Sequence, residues 1–118
     1  MIERIAFTLY PVKDVARARA FYEGTLGLAV SSDFGGRWVE FELSGGVFAI
    51  SDMIPDLGPS AERGGKIAFE VDDVDALTER LRASGVPVVV EPFSTPVCRM
   101  SVVLDPEGNS LTLHHVTA

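Results

Sequence analysis

One short pattern occurs twice in this chain. Val12-Lys13-Asp14-Val15 follows a run of β-branched and aromatic residues, and Val71-Asp72-Asp73-Val74 follows a similar run 59 residues later. Gly45 to Ala49 lies over Gly108 to Thr112 at an offset of 63, and the four extra residues fit a longer loop around Pro92 and Pro96. A chain of 118 residues has room for one core, burying roughly two-thirds of the surface it exposes unfolded. Two copies of one small unit must therefore build that core jointly. Neither half can cover its own sheet, so the halves pack together or swap with another subunit.

Within each copy the local signals agree. Residues 4–12, RIAFTLYPV, suit a strand that Pro11 closes. Asp14 is a good N-cap, and Val15, Ala18, Phe21, Tyr22 and Leu26 recur at three- and four-residue spacing before Gly27. That spacing predicts an amphipathic helix over 15–25. Strand-like runs follow from Leu28, Arg37 and Val47, separated by Gly35-Gly36 and Gly45-Gly46, which are tight enough for hairpins. Residues 52–64 lose all periodicity and hold Pro55, Gly58, Pro59 and Gly64, which marks a linker. The pattern then restarts. A strand runs from Lys66, Asp72 or Asp73 caps a helix carrying Val74, Leu77 and Leu81, Gly85 stops it, and PVVVEP, RMSVVL and SLTLHHV read as strands. Asp105-Pro106-Glu107-Gly108-Asn109 joins the last two as a turn, with Pro fixing φ and Gly tolerating a positive one. The expected organisation is a single domain, 1–118, made of module 1 (3–51), a linker (52–64) and module 2 (65–116).

Composition excludes several functions. Hydrophobic residues at 47% and charged residues at 23% are globular averages, not those of a disordered, collagenous or coiled-coil chain. No apolar run approaches the roughly 20 residues of a membrane span. The N-terminus shows no signal-peptide pattern, so a cytoplasmic location is expected. Ten basic side chains are scattered against seventeen acidic ones, for a net charge of −7, which disfavours nucleic acid and anionic membranes as partners. A single cysteine, Cys98, can form neither an intramolecular disulfide nor a zinc knuckle; it reads as a small half-buried thiol in a reducing compartment.

The strand, the V-x-D entering a helix with Phe21-Tyr22, the Leu26-Gly27 that follows, and the distant Asp105-Pro106-Glu107-Gly108-Asn109 together resemble the vicinal oxygen chelate superfamily. That group holds glyoxalase I, bleomycin resistance proteins, fosfomycin resistance enzymes and extradiol dioxygenases. The resemblance spans about Glu3 to Val116 and implies an α+β fold of two βαβββ modules whose sheets curve around a shared cavity. It also implies where a metal would be held: at Phe7 and Lys66 in the first strand of each module, and at Ala49 and Thr112 in the last. Phe, Lys, Ala and Thr supply neither imidazole nor carboxylate, and such ions want three or four such donors. The resemblance is therefore to the metal-free branch, with no metal and no cofactor expected.

Strand alternation sorts the candidates. Ile67, Phe69, Val71, Leu111 and Leu113 should face the helices, leaving Lys66, Ala68, Glu70, Ser110, Thr112 and His114 for the cavity, joined by Phe7 and Leu9. Lys66 is suited to an acidic ligand group, or to base or amine chemistry if its pKa is lowered. His114 and His115 point to opposite faces, so one ion cannot take both, and no acid is evident in the sequence to orient either. Trp38 suits stacking on a flat ligand, and Arg37 or Arg99 suits an acidic group. Alternation in RWVEFEL groups Trp38, Glu40 and Glu42 on one face, with the side they occupy left open. The expected ligand-binding set is Phe7, Leu9, Trp38, Ala49, Lys66, Glu70, Arg99, Thr112 and His114.

The leading expectation is a metal-independent small-molecule-binding protein that sequesters a drug or metabolite in the inter-module cleft, working as a homodimer. Two alternatives stay open: a metal-free isomerase or lyase using Lys66 or His114 as acid/base with Glu70 as tuning partner, and a degenerate module serving as a dimerisation scaffold.

Overall fold

In the computed structural model, residues 7–53, 58–62, 67–96 and 98–117 are described. The chain divides into two compact units, Met1–Pro59 and Ser60–Ala118. The first carries β1 (Thr8–Pro11), α1 (Val15–Arg19), a π-helical segment (Ala20–Thr25), β2 (Val30–Phe34), β3 (Trp38–Leu43) and β4 (Gly46–Ser51). The second carries β5 (Ile67–Glu70), α2 (Val74–Ala83), β6 (Val88–Ser94), β7 (Cys98–Leu104) and β8 (Ser110–Val116). Each forms a four-stranded mixed sheet in the same order, β1-β4-β3-β2 and β5-β8-β7-β6, with the first strand parallel to the last. This is the expected α+β arrangement of two βαβββ modules.

Both helices begin as the sequence indicates. Asp14 Oδ1 accepts the Arg17 N–H at 3.0 Å, and in the second unit Asp73, rather than Asp72, accepts the Ala76 N–H at 3.0 Å. Each cap satisfies a backbone donor that has no partner within the helix. The expected α-helix over 15–25 is corrected in its second half. From Ala20 the backbone widens into a π-helical turn, with Leu26 N–H bonded to Phe21 O at 2.9 Å. The wider turn lets consecutive residues face inward, and Phe21 and Tyr22 are both buried.

The first core is aromatic. Tyr22 meets Phe48 edge-on at 4.9 Å between centroids and Phe41 at 6.1 Å, while Phe41 and Phe48 stack at 6.0 Å and Tyr10 meets Phe48 at 5.4 Å. Such pairs add about 0.5–1.5 kcal/mol each beyond the area they bury. The second core is aliphatic, built on Val74, Leu81, Val103, Leu111 and Leu113. Within it a fully buried hydroxyl pair ties α2 to β7, with Thr78 Oγ1 2.8 Å from Ser101 Oγ.

The turn between β7 and β8 is held by Asp105. Its buried carboxylate accepts the N–H groups of Glu107 and Asn109, each at 2.9 Å, and the Asn109 side-chain amide at 3.0 Å. Asn109 Oδ1 in turn accepts the Ser60 N–H at 3.0 Å, anchoring the start of the second unit. Gly108 has φ +86°, the left-handed conformation expected of it. Cys98 is buried beside Thr95 Oγ1.

Candidate functional site

Pairing register settles which side chains share a face. In the first unit Trp38, Glu40 and Glu42 lie opposite Ser51, Ala49 and Val47 of β4, and Ala49 lies opposite Leu9 of β1. Phe41 and Phe48, on the other parity, meet Tyr22 of the helical segment. The question left open by alternation alone is thereby answered: Trp38, Glu40 and Glu42 share the helix-free face with Leu9 and Ala49. Phe7 joins them, packing edge-on against Trp38 with centroids 5.2 Å apart and planes at 88°.

The indole is fixed a second way. Its Nε1–H donates to Glu40 Oε2 at 2.9 Å, so the ring is oriented by a carboxylate on its own strand and by an aromatic edge from β1's side. Phe34, the register partner of Trp38 on β2, is 59% exposed, and Phe7 is 43% exposed. Among the described residues, Glu40 and Glu42 are the charged side chains of this face. Arg37, one residue before β3, is paired with Asp52 at 2.9 Å.

In the second unit Ala68 and Glu70 lie opposite Thr112 and His114, and Val102 and Met100 lie opposite the same pair from β7. These residues form the helix-free face of that sheet, since Leu111 and Leu113 are buried on the other. The acid that the sequence did not reveal for His114 is Glu70: Oε1 lies 2.6 Å from His114 Nδ1, and Oε2 accepts the Val116 N–H at 2.8 Å. These bonds, the backbone one first, hold the Glu70 carboxyl below its ordinary range, with the positive charge a protonated histidine would carry as a smaller cause. His115 points away, its Nδ1 2.8 Å from Val71 O.

Arg99 stands apart from the other candidates. It pairs with His115 across the strands, and its guanidinium makes a two-pronged pair with Asp75 of α2 at 2.8 and 2.7 Å. That pairing places it on the helix side rather than with Thr112 and His114. Lys66 lies outside the described residues.

The family model for the Glyoxalase/Bleomycin resistance protein/Dioxygenase superfamily matches residues 4–113. The chain belongs to this superfamily. Two solved structures from Streptomyces sp. CB03234 are similar over nearly the whole chain. One is TnmS3, described as an antibiotic binding protein, 30% identical over 98% of each chain with a TM-score of 0.82. The other, a glyoxalase/bleomycin resistance protein, is 32% identical over 93% of this chain and 98% of its own, with a TM-score of 0.77. A lactoylglutathione lyase from Agrobacterium tumefaciens shares the fold at 24% identity, over 97% of this chain and 94% of its own, with a TM-score of 0.74. No curated protein matches.

Several members of the superfamily are metal enzymes, and the corresponding positions here do not fit a divalent cation. Phe7 offers a hydrocarbon ring, Ala49 a methyl group and Thr112 a hydroxyl, where such an ion needs imidazole or carboxylate. Among the described residues, no three or more His, Cys, Asp or Glu side chains gather in a way that would hold one.

Proposed function

We propose that this protein is a metal-independent small-molecule binder of the glyoxalase/bleomycin-resistance type that sequesters a drug or metabolite, and that a flat part of its ligand stacks on Trp38. The fixed indole carries this reading. A ring held by Phe7 and Glu40 has already lost the freedom that stacking would otherwise cost. The similarity to an antibiotic binding protein supports it, as does the absence of imidazole and carboxylate at Phe7, Ala49 and Thr112. The homodimeric state and the cytoplasmic location expected from the sequence belong to the same proposal.

Trp38 is the sole tryptophan, so fluorescence excited selectively at tryptophan reports on this face alone. Titration with planar aromatic antibiotics is expected to quench it saturably, and to add about 2.7 kcal/mol of apparent stability at a hundred times the dissociation constant. Trp38→Ala should abolish tight binding while the fold is retained. A panel that neither quenches Trp38 nor stabilises the chain would refute the reading, and stoichiometric metal by elemental analysis would refute metal independence.

A further inference from the structure

We infer that Glu70 and His114 form a hydrogen-bond-accepting subsite for a neutral, acidic hydroxyl group, phenolic or enolic, on a bound small molecule. The inference rests on the small-molecule-binding reading and adds the functional group that the second unit recognises. It follows from counting protons. A carboxylate only accepts, so the 2.6 Å contact between Glu70 Oε1 and His114 Nδ1 requires the proton of the neutral ring to sit on Nδ1. Nε2 is left with a lone pair and, among the described residues, with no partner.

The arrangement is built in at two levels. Glu70 and His114 are register partners in a parallel strand pair, so the backbone sets their spacing. The Val116 N–H clamps the other carboxylate oxygen at 2.8 Å and holds the carboxylate in place. The imidazole side chain is 30% exposed, on a helix-free face where its strand neighbours, Met100 across and Thr112 two residues back, carry no charge. Among the described residues, the other titratable group near the pair is His115, whose Nδ1 lies 3.8 Å from Glu70 Oε2.

An imidazole backed by a carboxylate is a stronger acceptor than a free one. It disfavours ligand carbonyls, which present only lone pairs, and ligand anions, which meet the Glu70 charge. Among neutral hydroxyls a phenol, with an ordinary pKa near 10, is a far better proton donor to imidazole than an aliphatic alcohol. Glu70 acts here as a positioning residue; the contact to the ligand is made by His114.

The test compares 4-cyanophenol with its methyl ether, which keeps the ring and loses the donor, by equilibrium dialysis at about pH 7.5. Wild-type protein is expected to prefer the phenol by about tenfold, the upper range of one net hydrogen bond. His114→Phe should remove the preference and leave the ether's affinity unchanged. Equal affinities in wild type, a preference surviving in His114→Phe, or tighter binding of 4-cyanobenzylamine than of the phenol would overturn the inference. Imidazole nitrogen-15 shifts in the wild-type chain give an independent reading: the proton belongs on Nδ1 of His114, Glu70→Gln should shift the tautomer balance, and a wild-type proton on Nε2 would overturn the inference whatever the variants do. Quenching of Trp38 by planar antibiotics would leave the wider binding reading standing if the dyad failed.

Discussion

The buried hydroxyl pair that fastens α2 to β7 makes an asymmetric prediction. Thr78 and Ser101 are both fully buried. Thr78 has one hydroxyl proton, and it goes to Val74 O at 2.6 Å, because a carbonyl cannot donate. Ser101 must then be the donor in the 2.8 Å contact between the two hydroxyls. Thr78→Val keeps the shape but removes the acceptor, so Ser101 is left with a buried, unpartnered O–H. That costs about 1–3 kcal/mol for the orphaned group, in addition to the bond Thr78 made to its own helix. Ser101→Ala removes only a donor to Thr78, which keeps its bond to Val74, and should cost about 0.5–1.5 kcal/mol. The double variant has no orphan, so it should be more stable than Thr78→Val alone. Urea unfolding of the four proteins, followed by far-UV circular dichroism, closes the double-mutant cycle. The reasoning is refuted if Ser101→Ala is the costlier single change, or if the two costs simply add.

Three further outcomes follow from the geometry. Asp105→Ala should cost about 2–3 kcal/mol in the same unfolding assay, since a buried carboxylate with three donors is lost at once. Gly108→Ala should cost about 1–2 kcal/mol through its positive φ alone, because nothing lies within 4 Å of the added methyl group; a neutral result would contradict the left-handed turn. Glu70, Asp75 and Glu91 have carboxyl groups held below their ordinary values, Glu70 by Val116 and His114, Asp75 by Arg99 and Glu91 by Arg82. A depressed native value contributes stability above the unfolded pKa, and that stability is lost as pH falls through the native one. The thermal midpoint should therefore drop below about pH 4, and Glu70→Gln should blunt that limb of the profile.

The parts of the fold legible in the sequence are those set by neighbours along the chain. Asp14 and Asp73 sit where a strand gives way to a helix, and a cap needs only the next three residues. The Asp105 to Asn109 turn is likewise local. The π-helical segment was hidden because Phe21, Tyr22 and Leu26 fit a regular helical stripe as well as a widened one; only packing against Phe41 and Phe48 separates the two. The site depended on register. Trp38, Glu40 and Glu42 share a face by alternation, but which face is decided by their pairing with β4. Glu70 and His114 stand 44 residues apart, and only the parallel pairing of β5 with β8 makes them neighbours. Arg99 illustrates the converse: its charge suited a ligand acid, and Asp75 of α2 takes it instead.

The π-helical segment bears on how the duplicated halves diverged. A widened turn is what one extra residue produces in a regular helix, and α2, its counterpart in the second half, has no such turn. Once Phe21 and Tyr22 were both committed to the interior, deleting that residue would have swung one ring into water and left a void beside Phe48. The two copies are therefore not interchangeable: a helix like α2 set on the first sheet would lack the aromatic wedge that Phe41 and Phe48 receive.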